Sequence, residues 1–169
     1  MNNLIASLGL GEINADPNNI PDATYEGVVF KSELVFVASK GTVSHVITYK
    51  VTEGNHKGAQ QAEWFKLGEN PVDANGAAVT ALKNAESMTP TQTDQNKQWY
   101  KKRYVDLGAA DNESAELPDP SALVGIPVRF GIKHKDGFQN ISFVEKSAPS
   151  TSQATAQPGQ VAGGVTGVL

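Results

Sequence analysis

The chain has 169 residues, a mass of 17.9 kDa and a formal net charge of -4. That balance excludes a uniformly basic nucleic-acid binder but leaves a local basic patch open. There is no cysteine, which removes disulfides, thiolate metal sites, iron–sulfur clusters and cysteine nucleophiles together. No run approaches the ~18 apolar residues of a membrane span. The short apolar run Leu4, Ile5, Leu8, Leu10 lacks the positive flank of a signal peptide. The expected location is therefore the cytoplasm.

Residues 1–23 read as an N-terminal arm, with a short helical turn at Leu4–Leu8 and breakers at Asp16-Pro17 and Ile20-Pro21. Residues 24–146 form the expected folded body. Tyr25 to Val37 is a strand interrupted at Lys31-Ser32-Glu33, which predicts a bulge or bend. After a turn at Ser39-Lys40-Gly41, residues Val43, His45, Ile47, Tyr49 and Val51 alternate with mostly polar neighbours, the period of a half-buried strand. Glu53 to Gly58 is a polar loop, and Gln61 to Leu67 is a third strand. The excursion Gly68 to Asp94 predicts a short helix at Ala77–Ala85.

A longer helix is predicted at 95–107, with Thr93-Asp94 as its cap and Gly108 after its end. Tyr100, Tyr104 and Leu107 share one face of it. Residues 109–124 are an acidic loop with Pro118 and Pro120. Val128, Phe130 and Ile132 mark a fourth strand, Asp136-Gly137 a hairpin turn, and Phe138 to Val144 a fifth strand. The uncharged Ser, Thr, Gln, Ala and Gly-rich stretch 147–169 is expected to be a disordered tail, because it has too little apolar surface to offset ordering entropy. The fold class is mainly β. Five strands with a helix between the third and fourth is the layout of an OB-fold barrel. An SH3-like barrel or an irregular β-sandwich shares the strand order, and the helix position favours the OB-fold.

A search for catalytic chemistry is unproductive. His45, His56 and His134 have no metal-ligand spacing. No nucleophile elbow or phosphate-binding loop is present. Asp106, Asp111, Glu113, Glu116 and Asp119 cluster in a proline-containing loop and read as a solvated linker. A metal-dependent nuclease using them is the enzyme alternative. No catalytic residue, metal or cofactor is expected.

Nucleic-acid binding has a stronger signature. Lys97 to Tyr104 places four of the 14 basic residues within seven positions, interleaved with Trp99, Tyr100 and Tyr104. Cations for phosphates and aromatic faces for bases are what single-stranded nucleic acid requires. With the tyrosines in the core, Trp99, Lys102 and Arg103 are the surface candidates. OB-folds bind oligonucleotides over strands 2 and 3 and the 1–2 and 4–5 loops. Those regions supply Lys40, Lys50, Trp64, Lys66, Arg129, Lys133 and Lys135. Trp64 either stands exposed beside Lys66 or packs beneath the arm or the 68–94 excursion. The charge is also unevenly divided. Residues 1–23 carry -3 and 105–124 carry -5, whereas 24–104 and 125–146 each carry +2.

Three stretches resemble a phage-encoded family of single-stranded-DNA-binding proteins that serve replication and recombination. They are Tyr25-Glu26-Gly27-Val28-Val29, the loop-entering Val51 to Gly58, and Asp119 to Gly125 leading to Phe138-Gln139-Asn140-Ile141. The resemblance implies an OB-fold, sequence-tolerant binding of single-stranded DNA and no catalytic residues. It carries over Lys57 and Asn140. Phage or host replication and recombination proteins, and further copies of the chain, are the implied protein partners. Many single-stranded-DNA-binding proteins end in an acidic tip. This chain ends Gly163 to Leu169 without acid, which argues against partner recruitment of that kind. A protein-interaction or virion-associated barrel is the alternative.

Overall fold

A computed structural model describes residues 16–147. The Leu4–Leu8 turn and the tail beyond 147 lie outside the described residues. The strands are β1 (Ala23–Val37), β2 (Thr42–Val51), β3 (Gln60–Val72), β4 (Ser87–Pro90), β5 (Pro127–Lys135) and β6 (Phe138–Lys146). One helix, α1 (Asp94–Asp106), stands between β4 and β5. All strand pairs are antiparallel and form one sheet ordered β4-β3-β2-β1-β5-β6, curled into a half-barrel.

The five expected strands are present, and β4 makes a sixth. It pairs with the far part of β3 at Gly68↔Pro90 and Glu69↔Thr89. Four residues are too few to carry a period, so nothing in the sequence announces it. The helix expected at Ala77–Ala85 is absent; only a single 3-10 turn, Leu82–Asn84, forms there. No side chain caps its start. Upstream, Asp73 Oδ1 accepts from the amides of Asn75 and Ala77 and holds a turn instead.

β1 pairs with β5 over Ala23–Val28 and with β2 over Gly27–Val37. Its register shifts between Val29 and Lys31. The extra residue, Phe30, reverses the inside–outside alternation. Val29 and Ser32 are consequently both buried, while Phe30 is exposed beneath Lys50 Nζ, 4.5 Å from its ring centre. The odd-numbered residues of β2 all face the core, as their alternation predicts. Ile47, Tyr49 and Val51 pack with Val128, Phe130, Ile132 and Val144, and with Tyr104, Leu107 and Leu123. Ile20, placed in the arm by sequence, is also buried in this core.

His45 is the one charged-type side chain fully inside the core among the described residues. Its Nε2 lies 2.7 Å from Ser32 Oγ and its Nδ1 lies 2.7 Å from the Tyr100 hydroxyl. A neutral imidazole satisfies both contacts, donating with one nitrogen and accepting with the other. Burial lowers its pKa to about 4. The unfolded chain therefore takes up this proton at higher pH than the folded one. The stability linked to His45 should be complete above about pH 6.5 and should decline as pH falls toward 4, by on the order of 1–3 kcal/mol. Urea denaturation of wild type and His45→Gln between pH 7 and 4 checks this. The variant should lose most of the slope in that window; an equal slope in both proteins would contradict the assignment.

Candidate nucleic-acid interface

The candidate surface is set by how α1 docks. Thr93 Oγ1 accepts from the Asn96 amide at 3.1 Å and caps the helix start. Tyr104 and the following Leu107 are buried, and Tyr100 packs against the core, the face expected from their spacing. The neighbouring face carries Trp99, Arg103 and Asp106 at i, i+4 and i+7.

Arg103 departs from expectation. Sequence places it on the outer surface for phosphates. Instead its Nε and Nη2 donate to both carboxylate oxygens of Glu63 in β3, at 2.9 and 2.8 Å, and its Nη1 donates to Asp106 at 2.8 Å. The Tyr49 hydroxyl also donates to Glu63, at 2.9 Å. Burial is the largest single influence on Arg103 and opposes its charge, but the bond to Glu63 and the negative charges of Glu63 and Asp106 together outweigh it and keep the pKa above its ordinary value. The guanidinium is committed to holding the helix on the sheet.

β3 and β6 are the two strands that face each other across the mouth of the half-barrel. They run in the same direction, since four antiparallel steps separate them. No ladder joins them. At the base of this seam Gln139 of β6 bridges, its Nε2 donating to Gln61 Oε1 at 2.6 Å and to Asn18 O at 2.8 Å. Further along, a hollow of about 500 Å³ lies between Phe65, Trp99, Arg103, Ile141 and Val144.

Four exposed aromatics border the seam, Phe143 and three that are more than half exposed. Trp64 is 56% exposed, Trp99 57% and Phe138 71%. Trp64 and Trp99 line one hollow with Lys66 and Asn96. Trp64 and Phe138 line the next, with Gln61, Ala62 and Asn140. Phe138 is opposite Lys135 in the β5–β6 register. The turn between those strands has positive φ at Asp136 and Gly137, the type I′ hairpin that the Asp-Gly pair predicts.

The other expected residues are dispersed. Lys50, Trp64 and Lys66 share the outer face of β2 and β3, joined there by Lys31 of β1. Lys66 meets Glu69 at 3.2 Å, and Lys102 meets Asp106 at 2.9 Å. Both lysines are exposed, so these contacts are weak and exchangeable. Lys133 and Lys135 stand exposed on the β5–β6 hairpin, beside Asn140. Lys40 lies past the opposite end of β1, and Lys57 projects from the β2–β3 loop. Arg129 lies between Glu26 of β1 at 3.8 Å and Glu145 of β6 at 3.6 Å, across the β1–β5–β6 part of the sheet. Lys40 and Arg129 therefore fall away from the seam.

Nothing in the local sequence pattern assigns a role to Phe138 or Glu63. The Asp-Gly turn could have pointed to Phe138, as the first residue after an exposed hairpin. In the acidic loop, Asp111 accepts from Glu113 N and Ser114 Oγ, and Asp119 from Ser121. These carboxylates act as local caps. Among the described residues no group of three or more His, Asp or Glu side chains is arranged to hold a metal ion, and no helix is long and apolar enough to cross a membrane.

No family model, curated protein or solved structure matches this chain.

Glu63 accepts three hydrogen bonds from two elements. Glu63→Ala should cost about 2–4 kcal/mol in chemical denaturation, because Arg103 loses its main partner in a mostly buried setting. A loss below about 0.5 kcal/mol, the range of an exposed pair, would show that helix docking does not depend on it.

Proposed function

We propose that the protein binds single-stranded DNA without sequence preference, through an OB-type barrel left open at its closing pair. The observation that carries this reading is the row of Trp99, Trp64 and Phe138, each more than half exposed. Exposing large aromatics is unfavourable in water, and clustered ones mark binding surfaces. A row of separate aromatic faces suits successive unstacked bases, whatever their identity. Lys66 and Lys102 flank the Trp99 end, and Lys133 and Lys135 flank the Phe138 end. All four ammonium groups can reach phosphates at the cost of no more than an exposed ion pair.

The OB-type reading is supported by three features. β1 pairs with both β2 and β5. The helix falls between the third long strand and the return strand. The two edge strands run the same way across a gap, in keeping with a partly open barrel. The resemblance in sequence adds the setting: phage DNA replication or recombination, with replication or recombination proteins as partners.

Tryptophan fluorescence should be quenched on titration with an unstructured oligonucleotide, and affinity should fall steeply with salt as phosphate contacts release counterions. Trp64→Ala, Trp99→Ala and Phe138→Ala should each weaken binding by about 1–3 kcal/mol. Lys40→Ala and Arg129→Ala should change it little. Absence of binding at low salt, or full affinity in all three aromatic variants, would overturn the proposal.

A further inference from the structure

A shallow track crosses the sheet from the aromatic row to β1. In the strand register Ala62, Thr48 and Lys31 stand in one row, perpendicular to β3, β2 and β1. They lie on the outer face, because Ile47 and Tyr49 on either side of Thr48 point into the core. Ala62 and Thr48 have short side chains, so the row is low. Trp64 and Val46 border it on one side, Gln60 and Lys50 on the other. Ala62 also lines the hollow between Trp64 and Phe138, so the track opens from that hollow. At ~4.8 Å per strand it runs about 10 Å from Ala62 to Lys31.

Phe30 stands at the far end. Strict alternation after the outward Val28 and the buried Val29 would send Lys31 inward. The register shift between Val29 and Lys31 turns it outward instead, opposite Thr48 and next to Phe30. The bulge thus puts an aromatic ring and a cation side by side on one face. Phe30 is 39% exposed, and Lys50 Nζ lies 4.5 Å from its ring centre. A cation–π contact at an exposed site is weak, so Lys50 can turn to a phosphate and leave the ring to a base. Among the described residues, Lys31 and Lys50 form no ion pair, whereas Lys66, Lys102, Arg103 and Arg129 each meet a carboxylate. Glu33, opposite Val46, is an acid on the Trp64 side of the track.

We propose that single-stranded DNA leaving the Trp64–Phe138 hollow crosses this track over Ala62 and Thr48, stacks a base on Phe30 and sets phosphates on Lys31 and Lys50. The inference rests on the reading of the seam as a site for single-stranded DNA and extends it to a second station on the outer face. The occupant is chosen by chemistry: the track continues the aromatic row, and its two unpaired ammonium groups match a phosphate chain. Its length adds on the order of two or three nucleotides at the stacked spacing of ~3.4 Å.

Binding of the full chain to oligothymidylates of about 6 and about 16 nucleotides, near the limits of site size for one OB fold, tests the track. Phe30→Ala and Lys31→Ala should each weaken binding of the longer strand by on the order of fivefold. Both should leave the shorter strand, which the seam alone holds, unchanged. Lys31→Ala should also lower the slope of log affinity against log salt by about 0.7, the loss of one phosphate contact to a single strand. Glu33→Gln removes an acid from the rim and should tighten the longer strand only, a gain that a damaged fold would not produce. Wild-type affinity of Phe30→Ala and Lys31→Ala for both lengths, with Trp64→Ala still weakened, would overturn the track and leave the seam standing. Equal losses at both lengths would overturn the track as well. If the wild-type chain binds neither length, the seam reading falls and the track falls with it.

Discussion

β1 belongs to two ladders at once, and the curl of the sheet follows from that. Gly27 and Val28 pair with Val51 and Lys50 on one side and with Val128 and Pro127 on the other. At Gly27 the strands crowd so closely that a Cβ would sit 2.5 Å from the Lys50 carbonyl oxygen and 2.7 Å from the Phe130 ring. Only glycine fits at that crossing. Three residues later the Phe30 bulge turns the strand and reverses which side chains face inward. A flat sheet with these strands could not bring β3 and β6 to face one another, and there would be no seam.

With the curl fixed, α1 determines what the seam exposes. The tyrosines of the helix fill the barrel mouth around His45, and burial pushes the Tyr100 hydroxyl pKa upward. The Arg103–Glu63 pair then locks the helix against β3. That geometry leaves Trp99 unburied and in the same hollow as Trp64, although they lie on separate elements. Removing an arginine from the phosphate-binding inventory is thus the condition for assembling the aromatic row. The N-terminal residues make an analogous contribution at the base: Asp22 and Asn19 hold His134, and the His134 contact lowers the Asp22 pKa.

Much of this fold was legible in local pattern. The alternation from Val43 to Val51 identifies the core face of β2, Tyr100, Tyr104 and Leu107 identify the buried helix face, and Asp136-Gly137 identifies the hairpin. Each depends on neighbours in sequence. What escaped depends on partners far away. Arg103 and Glu63 are 40 positions apart, so a basic helix face reads the same whether or not an acid awaits it. Ile20 follows a run of polar breakers and looks like arm until Gln139 is known to be its partner. Trp64 could be placed on the outer face by parity, but its exposure depended on whether other segments covered it. Phe138 gained meaning only when β6 was seen to border β3.

In the proposed function, single-stranded DNA lies along the row from Trp99 through Trp64 to Phe138. Photo-crosslinking an oligonucleotide substituted with 5-iododeoxyuridine, followed by peptide mapping, tests it most directly. Adducts are expected at Trp64 and at Trp99 or Phe138, suppressed by excess unlabelled single strand. Adducts confined to the Arg129 side of the sheet, or none under conditions where the DNA binds, would contradict it.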